Sequence, residues 1–186
     1  MQKELPENAK LVFKGFIHDF YQWEQEMFDG TKNTYEMIKR VGSTSIIAVV
    51  GDKIILQEQE QPRLGQFLSF PGGRLEKDEE ATTGAKRELL EETGYTSNDL
   101  VLWKKYNSIP NMDWDDYYFI ARNCQKIQEP KLDNGEKIKN SLISFADFLM
   151  LSENEKFRHK VFISDLLCLR LYPEKLEEFK NLLFGK

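Results

Sequence analysis

Cysteine and histidine are scarce in this chain. Cys124, Cys168, His18 and His159 are its only representatives, and none forms a Cys-x-x-Cys pair or has a second ligand nearby. A disulfide framework and a structural zinc site are thereby excluded, leaving the cysteines as reduced, packed side chains and the histidines as structural or surface residues. Also missing is an apolar run near the ~18 residues that a membrane helix needs, and Met1-Gln-Lys-Glu-Leu-Pro6 lacks the apolar core of a signal peptide. Positive charge is not in excess: 26 Lys and Arg against 31 Asp and Glu give a net charge of -5. That balance excludes a polycationic nucleic-acid surface, and 40% hydrophobic residues exclude wholesale disorder. The expectations are a cytoplasmic protein, no contact with membrane or nucleic acid, and a small-molecule partner.

What is present reads as one mixed domain with an N-terminal appendage. From Leu11 to Gln25 apolar and polar residues partly alternate, and Phe28-Asp29-Gly30 supplies a turn before Thr34 to Ile38. This predicts an antiparallel hairpin or small sheet over residues 1–40. The run from Val41 to Val50 is rich in β-branched residues, and Gly51-Asp52 breaks it before Ile54-Ile55-Leu56. These are expected to be central strands. Further strands are predicted at Phe67 to Phe70, Val101 to Ser108, Tyr117 to Ala121 and Ser141 to Ser144. Helices are predicted from Asp78, as N-cap, to Thr93 with Gly94 as the stop, over Phe145 to Leu151, and over Asp165 to Leu171 and Glu174 to Phe184, with Pro173 as a first-turn residue or breaker.

The helix before Gly94 carries the chemistry. Glu88, Glu91 and Glu92 stand at i, i+3 and i+4, which places three carboxylates on one face within a turn. Like charges at that spacing cost about 0.2–0.5 kcal/mol, and carboxylates in a last turn oppose the helix dipole at about 0.3–1 kcal/mol each. A solvated acidic face is the ordinary meaning of such a cluster. A bound divalent cation would reverse both penalties. An all-oxygen set suits Mg²⁺, with Mn²⁺ as the alternative, and Pro71-Gly72-Gly73 lets a backbone carbonyl approach the same ion.

The segment from Gly73 to Tyr95 resembles the Nudix box. It has Gly73, five residues, Glu79, seven residues, Arg87-Glu88-Leu89, one residue, Glu91-Glu92, one residue, and Gly94-Tyr95, which agrees at all nine specified positions. By average residue frequencies a chance match is on the order of one in 10⁸. The resemblance implies an α/β/α sandwich on a mixed sheet, with the box forming loop, helix and loop. It implies Glu88, Glu91, Glu92 and the Gly72 carbonyl as metal ligands, Glu91 and Glu92 in catalysis, and Glu79 with Arg87 as the pair supporting the site. Gly84 falls where the family is often small.

Outside the box, Glu60-Gln61-Pro62-Arg63 is similar to a strand of the ADP-ribose pyrophosphatase branch, where the arginine faces substrate phosphates. Pro110 and the N-terminal hairpin match that branch too. Phe70-Pro71-Gly72-Gly73 departs from its usual Leu-Pro-Ala-Gly, so another nucleoside diphosphate sugar is as good a substrate as ADP-ribose. The resemblance also suggests Glu136, in Asp133-Asn-Gly-Glu136 at a strand-to-helix region, as a general base. Trp23, Phe28, Trp114 and Tyr117 are candidates to stack on a base, or else core residues. The expected activity is metal-dependent hydrolysis of a nucleoside diphosphate sugar to a nucleoside monophosphate and a sugar phosphate. The rival readings are a house-cleaning nucleoside triphosphate pyrophosphatase and a Nudix-fold sensor that binds a nucleotide without cutting it. Assembly is expected to be homodimeric, through an N-terminal β subdomain (1–40) attached to a Nudix domain (41–186).

Overall fold

A computed structural model describes residues 5–107 and 109–185. The N-terminal region forms β1 (Lys10–Lys14), β2 (Asp19–Glu26) and β3 (Lys32–Lys39), an antiparallel meander. Its turn at Met27 to Thr31 is closed by the Thr31 N–H on the Asp29 carboxylate at 3.0 Å. Trp23 is buried against Tyr35 in this sheet, with ring centroids 4.9 Å apart.

The body comprises β4 (Ser43–Val50), β5 (Lys53–Gln61), β6 (Gly65–Ser69), α1 (Ala81–Thr93), β7 (Tyr95–Thr96), β8 (Asp99–Tyr106), β9 (Met112–Asp113), β10 (Asp116–Arg122), β11 (Gln125–Lys126), β12 (Lys137–Ile143), α2 (Phe145–Met150), α3 (Lys160–Leu171) and α4 (Pro173–Phe184). Ser108, the expected end of the strand now given as β8, lies outside the described residues. The main sheet runs β12-β5-β4-β10-β8 with β6 also on β5, and β4–β10 is its parallel pair. β9 leaves the body to pair with β3, so the appendage is a four-stranded sheet rather than an isolated hairpin.

Side chains alternate across a strand, and β4 shows what that does here. Ile47 and Val49 face one core with Phe70, Tyr118, Phe148, Phe162, Leu166 and Phe179, beneath α2, α3 and α4. Ile46 and Ala48 face the other, with Ala85 and Leu89 of α1. Burial on both faces explains the unbroken apolar run at 46–50. The result is the α/β/α sandwich expected from the box. Cys124 is buried and Cys168 half-buried, both as free thiols, and among the described residues no helix is long and apolar enough to cross a membrane.

One irregularity positions the site. β5 stays beside β4 for only two residue pairs, Val49–Ile54 and Val50–Lys53. The loop after β6 then takes its place along the start of β4: the Ile46 N–H donates to the Pro71 carbonyl and the Thr44 N–H to the Gly73 carbonyl, both at 2.8 Å. Gly72 sits between them at φ 144°, and a Cβ there would lie 2.1 Å from the Thr44 carbonyl oxygen, so only glycine fits.

Candidate active site

Helix α1 begins later than its sequence indicates. Asp78 lies in a left-handed turn at φ 62°, a conformation an N-cap does not adopt, and the cap position falls to Glu80, whose side chain makes no cap bond. Glu79 is committed elsewhere: its carboxylate takes the Nε and Nη2 of Arg87 at 3.0 and 2.9 Å, and the Glu76 N–H at 2.9 Å. The helix is seated close to the preceding loop at Gly84, where a Cβ would meet Leu75 at 2.3 Å. Its end is as expected, with Gly94 in the left-handed conformation and its N–H on the Leu90 carbonyl.

Near that end the carboxylates gather in different environments. Arg87 Nη1 bridges Glu88 and Glu91 at 2.9 and 3.1 Å. The Glu91 side chain remains 46% exposed, whereas that of Glu88 is 13% exposed and Glu92 as a residue only 5%. Glu92 turns inward, and its Oε2 accepts the Gly72 N–H at 2.8 Å. Glu136 interacts electrostatically with both Glu88 and Glu92. It lies in the turn that enters β12, so the expected strand-to-helix setting is corrected to a turn-to-strand one, closed by the Glu136 N–H on the Asp133 carbonyl.

The electrostatics follow from this crowding. Burial pushes the Glu92 carboxyl up to about 8, opposed by the Gly72 N–H and reinforced by repulsion from Glu88 and Glu136. Burial likewise raises Glu88 above the usual carboxylate range, against the pull of Arg87. Glu136 is raised by burial and by Asp133, while Glu79 is lowered by its bonds to Arg87. Among the described residues, Glu92 and Glu136 have no ion-pair partner.

Among the described residues no set of three or more His, Cys, Asp or Glu side chains already converges in metal-ligand geometry. With Arg87 drawing on Glu88 and Glu91 and Gly72 on Glu92, the carboxylates are held as neighbours rather than as a closed cage. The donor set nevertheless fits a hard cation: Glu92 and Glu136 lack a counter-charge among the described residues, and two buried hydroxyls nearby, Thr44 Oγ1 and Ser69 Oγ, have no hydrogen-bond partner. Thr44 shares the face of Ile46 under α1, and Ser69 stands opposite Gln57 across the β5–β6 pair. Mg²⁺ keeps several waters, and such waters require oxygen partners of this kind.

The other sequence candidates are dispersed. Arg63 is exposed in the turn between β5 and β6. Trp23 is spent on the N-terminal sheet, and Phe28 is fully exposed at its turn. Trp114 lies under the Arg40 guanidinium at 5.2 Å, and Tyr117 bonds Asp115 at 3.1 Å. A concavity of about 390 Å³ beside Glu58, Glu60, Lys137 and Lys139 includes none of the clustered carboxylates.

Several residues around the site are not marked by the sequence motifs. His159 is half-buried: its Nε2 accepts the Phe70 N–H at 3.0 Å and its Nδ1 meets the Tyr118 hydroxyl at 2.7 Å. With Leu68 bonded to Lys156 and Arg158 through the main chain, this segment straps β6 and the approach to Gly72. Gln57 and Asn140 contact Glu92. The signal for Gln57 was available as the alternation Gln57-Glu-Gln59-Glu-Gln61, which puts an amide at every second position of a strand, hence on one face.

The NUDIX domain family model matches residues 39–166 of the chain. The chain is 31% identical over 149 residues to an ADP-ribose pyrophosphatase of Bacillus subtilis, covering 78% of this chain and 80% of that protein. It is 26% identical over 173 residues to the ADP compounds hydrolase NudE of Escherichia coli, covering 91% and 93%. A further relative, 26% identical over 152 residues, is a methanol dehydrogenase activator of Bacillus methanolicus. Among solved structures, that of an ADP compounds hydrolase superposes with a TM-score of 0.73 at 23% identity, over 91% of this chain and 94% of the other. That likeness concerns the fold.

Proposed function

The chain belongs to the Nudix family and is a Nudix hydrolase of the ADP-ribose or ADP-compound pyrophosphatase type, and from that premise we propose that it hydrolyses the pyrophosphate bond of a nucleoside diphosphate sugar, ADP-ribose or a close analogue, with Mg²⁺. The observation that supports the metal requirement is the crowding of the Glu88, Glu92 and Glu136 carboxyls, of which Glu92 and Glu136 have no cationic partner among the described residues. The substrate class rests on the names of the relatives above.

In this reading Glu88, Glu91, Glu92 and the Gly72 carbonyl hold the metal, for which Mn²⁺ can substitute. When bound, such an ion neutralises charge on a diphosphate and lowers the pKa of water. The protein's own work is separate. Arg87 and Glu79 keep the carboxylates in register. Glu136, raised into a more basic range and next to the cluster, takes the proton of the attacking water. Arg63 is proposed to meet the phosphates, supported by its exposure after β5. The products are a nucleoside monophosphate and a sugar phosphate.

The proposal extends to assembly. The N-terminal sheet exposes Leu11, Val12, Phe13 and Phe16, the last at 95%, an apolar surface that a homodimer would cover. A cytoplasmic location completes it. The test is a panel of ADP-ribose, other nucleoside diphosphate sugars, nucleoside triphosphates and dinucleoside polyphosphates with Mg²⁺, scored by phosphate products. The highest kcat/KM is expected for a nucleoside diphosphate sugar, and a triphosphate far ahead of the rest would overturn the choice. Light scattering of the whole chain and of a chain starting near Val41 tests the dimer: a full-length monomer with full activity would remove it.

A further inference from the structure

A helix leaves its last four carbonyls without donors of its own. In α1 these carbonyls are met from several directions. The Gly94 N–H takes Leu90 at 2.9 Å, the Lys131 N–H takes Glu91 at 2.7 Å, and the Asn140 side chain takes Glu92 at 2.8 Å. Of these three donors, Asn140 is the one that reaches in with a side chain from a distant strand. It also pairs in register with Gln57 on β5, and its Oδ1 accepts from Gln57 Nε2 at 3.2 Å.

Gln57 is fully buried, and its side-chain amide lies beside the Glu92 carboxylate and favours its charged form. An amide nitrogen has two hydrogens, so one can serve Asn140 and the other Glu92. The contacts converge on one residue: Asn140 holds the Glu92 main chain, Gln57 stands beside its carboxylate, and the two amides hold each other. Behind Gln57 the row continues outward. Gln59 Nε2 donates to Gln57 Oε1 at 2.7 Å, and Gln61 Nε2 donates to Gln59 Oε1 at 3.4 Å. Each amide therefore donates inward, and the row ends, through Asn140, on the Glu92 carbonyl. Chains of this kind strengthen one another in a low-dielectric interior.

We infer that Gln57 and Asn140, backed by Gln59, are positioning residues that fix the Glu92 carboxylate for a divalent cation. The inference rests on the metal-dependent reading above. Its physical need is plain: a buried carboxylate beside Glu88 and Glu136 gains by rotating away from them, and only directed donors oppose that. The Gly72 N–H holds Oε2 from the loop side, while the amides hold the residue from the sheet side.

The experiment uses the whole chain and the shape-matched variants Asn140→Leu, Gln57→Leu and the double variant. Four quantities are measured: Mn²⁺ affinity by calorimetry without substrate, kcat and KM for ADP-ribose with saturating Mg²⁺, and the melting temperature. Each single variant is expected to weaken Mn²⁺ binding by about 10-fold or more, lowering kcat while KM for ADP-ribose moves little. The double variant should lose no more than the worse single one, because the two amides act as a unit. Folded single variants with wild-type Mn²⁺ affinity and kcat would overturn the inference, as would losses that simply multiply. Should Gln57→Leu fail to fold, Asn140→Leu, at a partly exposed position, decides alone. A wild-type chain that binds no Mn²⁺ and cleaves nothing on the panel removes the functional reading itself, whereas an active wild type with unaltered variants removes only this inference.

Discussion

The Gly72 N–H donates to Glu92 Oε2 at 2.8 Å, tying the loop after β6 to the last turn of α1. That loop is fixed to β4 and that turn to β12, so a single bond joins the two halves of the carboxylate site.

Replacing Gly72 by alanine should break this junction. The new Cβ would meet the Thr44 carbonyl at 2.1 Å in a backbone conformation that disfavours a side chain. A loss of about 1–3 kcal/mol in a denaturant titration is expected, with reduced activity in the folded fraction.

Glu92→Gln and Glu91→Gln test the carboxylates directly. Each should lower kcat by about a hundredfold or more with the fold intact, and a chelator should abolish wild-type turnover until Mg²⁺ is returned. A kcat within a few-fold of wild type for both would remove the metal assignment.

Glu136→Gln separates base from ligand. A drop in kcat of about 10²–10⁴ is expected while Mn²⁺ binding in calorimetry stays near wild type. Because burial and Asp133 raise this carboxyl, and a base must be deprotonated, the acid limb of the wild-type kcat profile should lie above the ordinary carboxylate range. It should vanish in the variant.

Arg87→Lys keeps the charge and loses the fork. One ammonium cannot reproduce two bonds to Glu79 and bridges to Glu88 and Glu91. Metal affinity should fall by about 10-fold or more, and unchanged affinity would show that the fork is dispensable.

His159 sets a stability limit in acid. Burial lowers its pKa from 6.5 to about 3, aided by Arg158. A folded pKa below the unfolded one means that the unfolded chain binds the extra proton between these values. Stability is therefore full above 6.5 and declines as pH falls toward 3, by about 1.4 kcal/mol per pH unit from this residue. His159→Gln should flatten that part of the stability curve, and a slope equal to wild type would assign the loss to other groups.

Features that depend on a few consecutive residues were legible in the sequence. Glu88, Glu91 and Glu92 share a face because helical geometry puts i, i+3 and i+4 together, and Gly94 ends the helix because glycine tolerates the left-handed conformation. The run at 46–50 declared a buried strand for the same local reason. Where longer-range forces compete, the sequence misleads: Asp78 has the chemistry of an N-cap, yet Glu79 is drawn to Arg87 and the turn at Asp78 moves the helix start to Ala81. Only the tertiary structure made Glu92 buried and Glu91 half-open, since burial depends on which strand lies under each side chain. It alone brought Glu136, Gln57 and Asn140 to Glu92 and His159 to Phe70 and Tyr118, because sheet pairing and packing, not sequence spacing, decide what such residues touch.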